Sequence, residues 1–200
     1  MRILEDIAAL DALYDAPVPA SLTKVAPALT PLYRQWIGAA RFCILSTVGP
    51  EGTDASPRGD DGPVVRIADD RTIWMPDWRG NNRLDGLRNI VRDGRASLLF
   101  MVAGSLNVVR VNGRAVLTDD PAVTGSFEQG GKHPKVVIVL TVAEVYFQCA
   151  KALMRSGLWT RGDDSADLPT AGQFIKERDA AFDAEGYDLS YPTEAPKRMW

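Results

Sequence analysis

Residues 74–90, WMPDWRGNNRLDGLRNI, place amides and an arginine where a strand gives way to a helix. The short apolar strand is predicted to end at Pro76 and Asp77, and a glycine-asparagine turn leads to a helix that opens at Arg83. A helix start offers unpaired N–H groups and a positive dipole end, and a guanidinium can fork onto phosphate oxygens. The pattern predicts a phosphate site, although an ordinary helix cap with a solvent-facing arginine fits the same residues equally well.

A second candidate lies in residues 56–62, SPRGDDG, where Arg58 stands between a proline and a glycine at the end of a predicted strand. A stiff backbone at this point would help to aim the guanidinium at an anion. Asp60 and Asp61 offer the alternative of a surface loop in which they pair with the arginine, and the residues alone favour that alternative slightly.

A third candidate is the segment CAKALMRSGLW, residues 149–159, which combines two cations, a hydroxyl and an indole. These are Lys151, Arg155, Ser156 and Trp159. Such a set can flank a flat anionic ligand, because the indole offers a stacking face and the cations offer charge. A solvated helix face is the equally good alternative.

Arg110 interrupts an apolar strand, VVRVNG. An inward-facing arginine would need a buried anion as its partner. We therefore favour an outward or interface position for Arg110.

The pattern of apolar residues predicts about six strands, joined mostly by short turns, with one helix (residues 83–92) inserted between the fourth and fifth. The strand candidates are 41–48 with a turn into TDASP, 63–69, 71–76, 96–103, 106–118 and 135–150. The continuously apolar run ASLLFMVA (96–103) is typical of a central strand buried on both faces, and Asn112-Gly113 indicates a bend or bulge. This order favours a mainly β fold, an antiparallel barrel with peripheral helices.

Helical spacing marks residues 2–14, about 28–40 with Thr30-Pro31 at its start, and 170–183. We expect one compact domain with three parts. Residues 1–40 form an N-terminal helical cap, residues 41–160 the barrel, and residues 161–200 a C-terminal helical extension.

The composition excludes several classes of function. With 46% hydrophobic residues and a net charge of −3, the chain lacks the basic character of a nucleic-acid-binding domain. No apolar run has membrane-spanning length and no leader pattern is present, so a cytoplasmic protein without a membrane partner is expected. Cys43 and Cys149 are predicted to be buried free thiols, and with a single His133 no metal site and no hydrolase triad is expected.

Together the candidates place one set of polar and aromatic side chains at the barrel rim: Arg58, Asn81, Asn82, Arg83, Arg155 and Trp159. No side chain among them performs redox chemistry alone. Such a rim suits a phosphorylated planar cofactor that brings its own chemistry.

The ordered motifs FCILSTVGPEGTDASPRGD, TIWMPDWRGNNRLDGLRNI, ASLLF, VRVNGRA and YFQCAKALMRSGLW resemble the pyridoxamine 5′-phosphate oxidase-like, FMN-binding split-barrel proteins. Within that family they are most similar to uncharacterised bacterial "probable FMN-dependent" proteins. The resemblance spans roughly residues 30–160. It implies a six-stranded antiparallel split β-barrel that forms a homodimer and binds FMN between the subunits.

The resemblance also assigns roles to the candidate residues. It implies that the phosphate and ribityl chain are held by Arg58, Asn81, Asn82 and Arg83. It places Pro76 and Asp77 beside the flavin ring. It implies that the ring is covered, from the same subunit or its partner, by Lys151, Arg155, Ser156 and Trp159.

The chain departs from true pyridoxamine phosphate oxidases in lacking their C-terminal arginine motif, since the context of Arg198 does not match it. The expectation is therefore an FMN-dependent oxidoreductase for an unknown small molecule, with its catalytic residues and electron donor unassigned. Two alternatives stay open: a split barrel that uses a deazaflavin or haem, and a non-catalytic flavin-binding module. Haem is the less favoured cofactor because the lone histidine lies in a loop before a proline.

Overall fold

A computed structural model describes residues 1–200 and contains one antiparallel sheet of seven strands. The strands are β1 (Phe42–Gly49), β2 (Gly52–Gly59), β3 (Arg66–Ile67), β4 (Thr72–Pro76), β5 (Arg95–Met101), β6 (Val108–Thr118) and β7 (Val137–Gln148). Their hydrogen-bonded order is β2-β1-β5-β6-β7-β4-β3. The sheet has one strand more than the predicted six, and the smallest, β3, contributes only two residues to its hairpin with β4.

Eight α-helices surround the sheet: α1 (Ile7–Asp11), α2 (Pro19–Thr23), α3 (Pro31–Gly38), α4 (Asp85–Arg92), α5 (Pro121–Thr124), α6 (Lys151–Ser156), α7 (Ala171–Arg178) and α8 (Ala184–Glu194). A short 3₁₀ turn, Pro196–Arg198, follows the last of them. No helix combines the length and the apolar character needed to cross a lipid bilayer.

The core lies on one face of the sheet. In β1 and β5 alternate residues are buried, and 21 buried apolar residues from these and the other strands form a single cluster. The prediction that 96–103 is buried on both faces is wrong, because Leu98 and Phe100 are buried whereas Leu99 and Met101 are only half-buried.

The helix predictions hold where local capping chemistry is strong. Thr30 caps α3, and Thr170 forms a capping box with Gln173 at the start of α7. The predicted helix over 2–14 is reduced to α1, which buries no residue. Short helices need a packing partner to be stable, and residues 2–14 have none within the chain.

The inserted helix α4 packs across β1 and β2. The Asn89 side chain donates to the hydroxyl of Thr47 at 3.2 Å, and a Cβ on Gly49 would lie 2.2 Å from the Asn89 amide oxygen. Gly49 therefore allows the helix to approach the sheet closely, and this approach fixes the loop that precedes α4.

The predicted irregularity is present at Asn112-Gly113, where the register between β6 and β7 shifts, and the extra residue is Ala143 of β7. A Cβ on Gly113 would lie 2.0 Å from the carbonyl oxygen of Thr141. Only glycine fits this position without moving the neighbouring strand.

Candidate functional site

Arg58 lies on the inward side of β2, an edge strand whose inward residues are polar. Asp54, Ser56 and Arg58 alternate with exposed neighbours, so all three face the same side of the sheet. Arg58 Nη1 lies 2.5 Å from Oδ1 of Asp77, the residue that follows β4, and each of these side chains is 21% exposed. The ion pair brings two of the predicted site segments together.

The alternative partners predicted for Arg58 are engaged elsewhere. Asp60 accepts hydrogen bonds from Trp78 Nε1 at 2.6 Å and Gln129 Nε2 at 2.8 Å, and Asp61 pairs with Arg41 at 2.9 Å. The surface-loop interpretation of SPRGDDG is therefore wrong, since Arg58 turns toward the interior of the site.

Two polar atoms on this inward stripe are buried without any hydrogen-bond partner, Ser56 Oγ and Arg58 Nε. A buried donor without a partner costs roughly 1–3 kcal/mol, so such atoms are uncommon and often mark a binding site. Of these two residues, Arg58 lines the pocket described next, whereas Ser56 does not.

A pocket of about 260 Å³ opens beside Arg58. Its walls combine two arginines with aromatic and apolar side chains: Pro57, Arg58, Gly59, Val64, Pro76, Trp78, Arg79, Gly80, Met199 and Trp200. Pro76 is buried at the end of β4 and lines the pocket. Together the residues that line the pocket can bind a ligand that is partly aromatic and anionic.

The C-terminal residues that close this pocket were missed by sequence reasoning. Trp200 packs edge-on against Trp78 with ring centroids 5.3 Å apart, and its carbonyl oxygen accepts a hydrogen bond from Lys132 Nζ at 3.0 Å. The only local signal was an apolar pair, Met199-Trp200, after a polar stretch, and nothing in that pattern indicates which surface it covers.

The loop before α4 differs from the predicted phosphate site. The Asn81 side chain accepts from the Arg83 backbone N–H at 2.9 Å, and Asn82 has a left-handed backbone with φ 63°. That conformation delays the helix start from the predicted Arg83 to Asp85. Gly80 lines the pocket, whereas the two asparagines and Arg83 are exposed outside it.

Arg83 is 80% exposed and its Nε lies 2.5 Å from Oδ2 of Asp85. The hydrogen bond from Arg83 to Asp85 raises the pKa of the guanidinium, which stays charged. The side chain would have to leave Asp85 in order to reach a ligand in the pocket.

The late motif, defined as residues 149–159, begins directly after β7. Arg58 and Phe147, just before α6, share one row of the sheet through Cys43, Phe100 and Val109. Four ladder steps, about 19 Å along a sheet at its usual strand spacing, separate the two ends of that row.

In the late motif itself, Trp159 Nε1 donates to the Ser105 carbonyl at 2.8 Å, and Ser156 Oγ donates to the Leu153 carbonyl at 3.1 Å. Lys151 and Arg155 are exposed and have no carboxylate within ion-pair distance. No residue of this motif lines the pocket beside Arg58.

Arg110 lies on the outer face of β6, between the buried Val109 and Val111, and its Nη1 donates to the hydroxyl of Tyr146 at 3.1 Å. No group of three histidine, cysteine, aspartate or glutamate side chains lies close enough together to hold a metal ion.

The two cysteines have opposite environments. Cys43 is fully buried, and burial raises the pKa of its thiol to about 12. Cys149 is exposed, contrary to prediction, because it follows β7 at the surface, and the Lys151 backbone N–H lowers the pKa of its thiol.

Iodoacetamide near neutral pH should therefore alkylate Cys149 and spare Cys43 in the native protein, since the thiolate is the reacting species. Both should react after denaturation. Peptide mass spectrometry measures the sites, and native labelling of Cys43 would contradict the buried position.

Comparison with known proteins places this architecture. A family model described as pyridoxamine 5′-phosphate oxidase matches residues 29–149. No curated protein matches the chain.

The chain is also similar to several solved structures. HupZ of Group A Streptococcus has 20% identity and TM-score 0.47, covering 58% of this chain and 90% of that one. A putative pyridoxamine 5′-phosphate oxidase of Lactobacillus delbrueckii has 20% identity and TM-score 0.47, covering 60% and 95%. An FMN-binding protein of Syntrophomonas wolfei has 15% identity and TM-score 0.42, covering 57% and 86%. Since the family model matches more than half of its residues, the chain belongs to the pyridoxamine 5′-phosphate oxidase family.

Proposed function

We propose that this protein binds FMN and acts as an FMN-dependent oxidoreductase on a small molecule. The observation that carries the proposal is the pocket beside Arg58, where a half-buried guanidinium has a partnerless Nε next to an aromatic wall. Membership of the family supports the flavin as the ligand. Bound FMN would supply electron and hydride transfer, while the chain supplies binding and orientation.

In this proposal Arg58 binds ligand oxygens, and Pro76, Asp77 and Trp78 lie beside the ring. Asn81, Asn82 and Arg83 would hold the phosphate from the loop before α4, which requires Arg83 to exchange Asp85 for the ligand. That exchange is feasible because the pair is solvent-exposed, and exposed ion pairs contribute only about 0–1 kcal/mol.

In this proposal the late motif contacts the flavin that is bound to a second subunit. None of its residues lines the pocket beside Arg58 in the same subunit. Lys151, Arg155, Ser156 and Trp159 are therefore proposed to cover the flavin of the partner protomer in a homodimer. The outer face of the sheet offers a surface for this pairing. It carries a shallow cavity of about 530 Å³ where Asn112 donates to Glu144 at 2.7 Å.

We also propose that the sheet curls into a split barrel. The hydrogen-bonded order runs from β2 to β3, yet Arg58 of β2 pairs with Asp77 at the end of β4, and Trp78 bonds to Asp60 just after β2. These contacts connect the two ends of the strand order. In this proposal residues 1–40 and 161–200 flank that barrel as parts of one domain.

The proposal is tested on the purified protein by its visible spectrum and by titration with FMN. The expected result is a flavin spectrum, or uptake of added FMN with one flavin per subunit, and then reduction of that flavin by NADH or NADPH. A Soret band would indicate haem instead, and a deazaflavin would give its own spectrum. Uptake without any turnover would indicate a flavin-binding module, and a protein that takes up no FMN would contradict the proposal.

Replacing Trp200 with alanine should weaken FMN binding by about tenfold, because an aromatic contact contributes roughly 0.5–1.5 kcal/mol. Isothermal titration measures the affinity, and the emission of the bound flavin should rise because a nearby indole quenches it. The control is Phe174→Ala, an aromatic residue of the same extension that is 59% exposed and lies outside the pocket. Equal affinities for Trp200→Ala and the wild type would remove Trp200 from the site.

A further inference from the structure

Arg79 is a cation of the pocket that sequence reasoning missed. Of the ten residues that line the pocket, only Arg58 and Arg79 are charged, and none is a carboxylate. Arg79 is exposed at the pocket wall and takes part in none of the ion pairs of the chain. Its guanidinium is therefore available to an anion that enters the pocket.

The backbone just before Arg79 is anchored to the rest of the fold. The Asp77 backbone N–H donates to the Val136 carbonyl at 3.0 Å. Trp78 Nε1 donates to the carboxylate of Asp60 at 2.6 Å. Arg79 therefore follows two fixed residues, and an anchored segment loses less conformational entropy when a ligand binds.

Two carboxylates adjoin the pocket, and both are engaged by other groups. Asp77 Oδ1 lies 2.5 Å from Nη1 of Arg58, and Asp60 accepts hydrogen bonds from two neutral side chains. Neither carboxylate forms an ion pair with Arg79. The pocket thus carries one ion pair, which includes Arg58, and one uncompensated cation, Arg79.

The arginines around the pocket differ in how strongly they can attract an anion. The Asp77 carboxylate offsets much of the field of Arg58, whereas Arg79 acts as a full positive charge. Arg83, which the sequence predicts to hold the phosphate, lies outside the pocket and has to leave Asp85 before it can bind a ligand. Arg79 needs no such exchange.

We propose that Arg79 binds the phosphate of FMN and makes the pocket select FMN over riboflavin. The inference deepens the proposed function and rests on it. FMN and riboflavin share the ring and the ribityl chain, and only FMN carries a phosphate, so an uncompensated guanidinium favours FMN alone. Arg58 then binds other ligand oxygens through its Nε, which has no partner in the chain.

Titration of the purified protein with FMN and with riboflavin tests the proposal. Arg79→Gln should weaken FMN binding about tenfold and leave the affinity for riboflavin unchanged, because a hydrogen bond to a charged group is lost only with FMN. Arg79→Lys keeps the charge without the planar fork, so it should retain part of the preference for FMN. The thermal unfolding midpoint of the flavin-free protein should be the same in both variants and the wild type, since the side chain is exposed.

The matched control is Arg88→Gln, which removes the same charge from α4. Arg88 is exposed, forms no ion pair and does not line the pocket. Its replacement should leave both affinities unchanged, and this separates contact with the phosphate from the general effect of a lower positive charge. Arg83→Gln should weaken FMN binding less than Arg79→Gln does.

Wild-type FMN affinity in Arg79→Gln would overturn the proposal, and so would equal losses of affinity for FMN and riboflavin. A larger loss of FMN affinity in Arg83→Gln would assign the phosphate to Arg83 instead. An equal loss in Arg88→Gln would show that Arg79 acts only through the net charge. Failure of the proposed function gives a different result, since the wild-type protein itself would then take up no FMN.

Discussion

Arg58→Met should weaken FMN binding by about a hundredfold, or roughly 3 kcal/mol, the largest loss expected from any change in the site. Arg58 is the one cation that lines the pocket from within the sheet, and its Nε has no partner in the chain. Removing it leaves the half-buried Asp77 carboxylate facing the ligand without its counter-ion. The effect therefore combines a lost attraction with a new repulsion.

Titration with riboflavin separates two positions for the ligand. If Arg58 holds the phosphate, the variant should lose affinity for FMN and keep the wild-type affinity for riboflavin, because only FMN loses a contact. If Arg58 instead contacts the ribityl chain or the ring, the affinities for both ligands should fall. The control is Arg41→Met, which breaks an ion pair with Asp61 outside the pocket and should leave FMN affinity unchanged. Wild-type affinity in Arg58→Met would show that the pocket is not the flavin site.

Gly113→Ala should destabilise the fold by about 3 kcal/mol, the largest stability loss expected from adding a single methyl group. The new Cβ would lie 2.0 Å from the Thr141 carbonyl oxygen and 3.3 Å from the Ala143 backbone nitrogen. Both atoms belong to the backbone of β7, so relief requires the two central strands to separate at the bulge. Thermal unfolding should show a midpoint lower by roughly 6–12 °C.

Gly38→Ala makes the same chemical change where nothing lies within 4 Å of the added carbon. Gly38 is exposed at the end of α3. Alanine should therefore leave the free energy of unfolding unchanged or raise it by about 0.4–1 kcal/mol, because it reduces the conformational entropy of the unfolded chain. Equal unfolding midpoints for the two variants would contradict the close strand approach at the bulge.

Features with local causes could be predicted from the sequence. Thr30 and Thr170 cap their helices through bonds to residues three positions away. Asn112-Gly113 marked the place of the register shift, although the extra residue, Ala143, lies in the neighbouring strand. The predicted helix start at Arg83 was two residues too early, because the residue types around Asn82 do not reveal its left-handed backbone. The predicted burial of Cys149 was also wrong, since an apolar segment does not reveal at which residue the strand leaves the core.

The strand and turn pattern, the candidate anion-binding residues and the family follow from the amino-acid sequence, since each depends on residue types at short spacing. The pairing of Arg58 with Asp77 rather than Asp60, and the closure of the pocket by Trp200 over Trp78, follow from the three-dimensional arrangement of distant segments. These contacts join residues that are 19 and 122 positions apart (77 − 58 and 200 − 78). They depend on how the sheet curves and where the C-terminal extension lies, which short-range spacing does not specify.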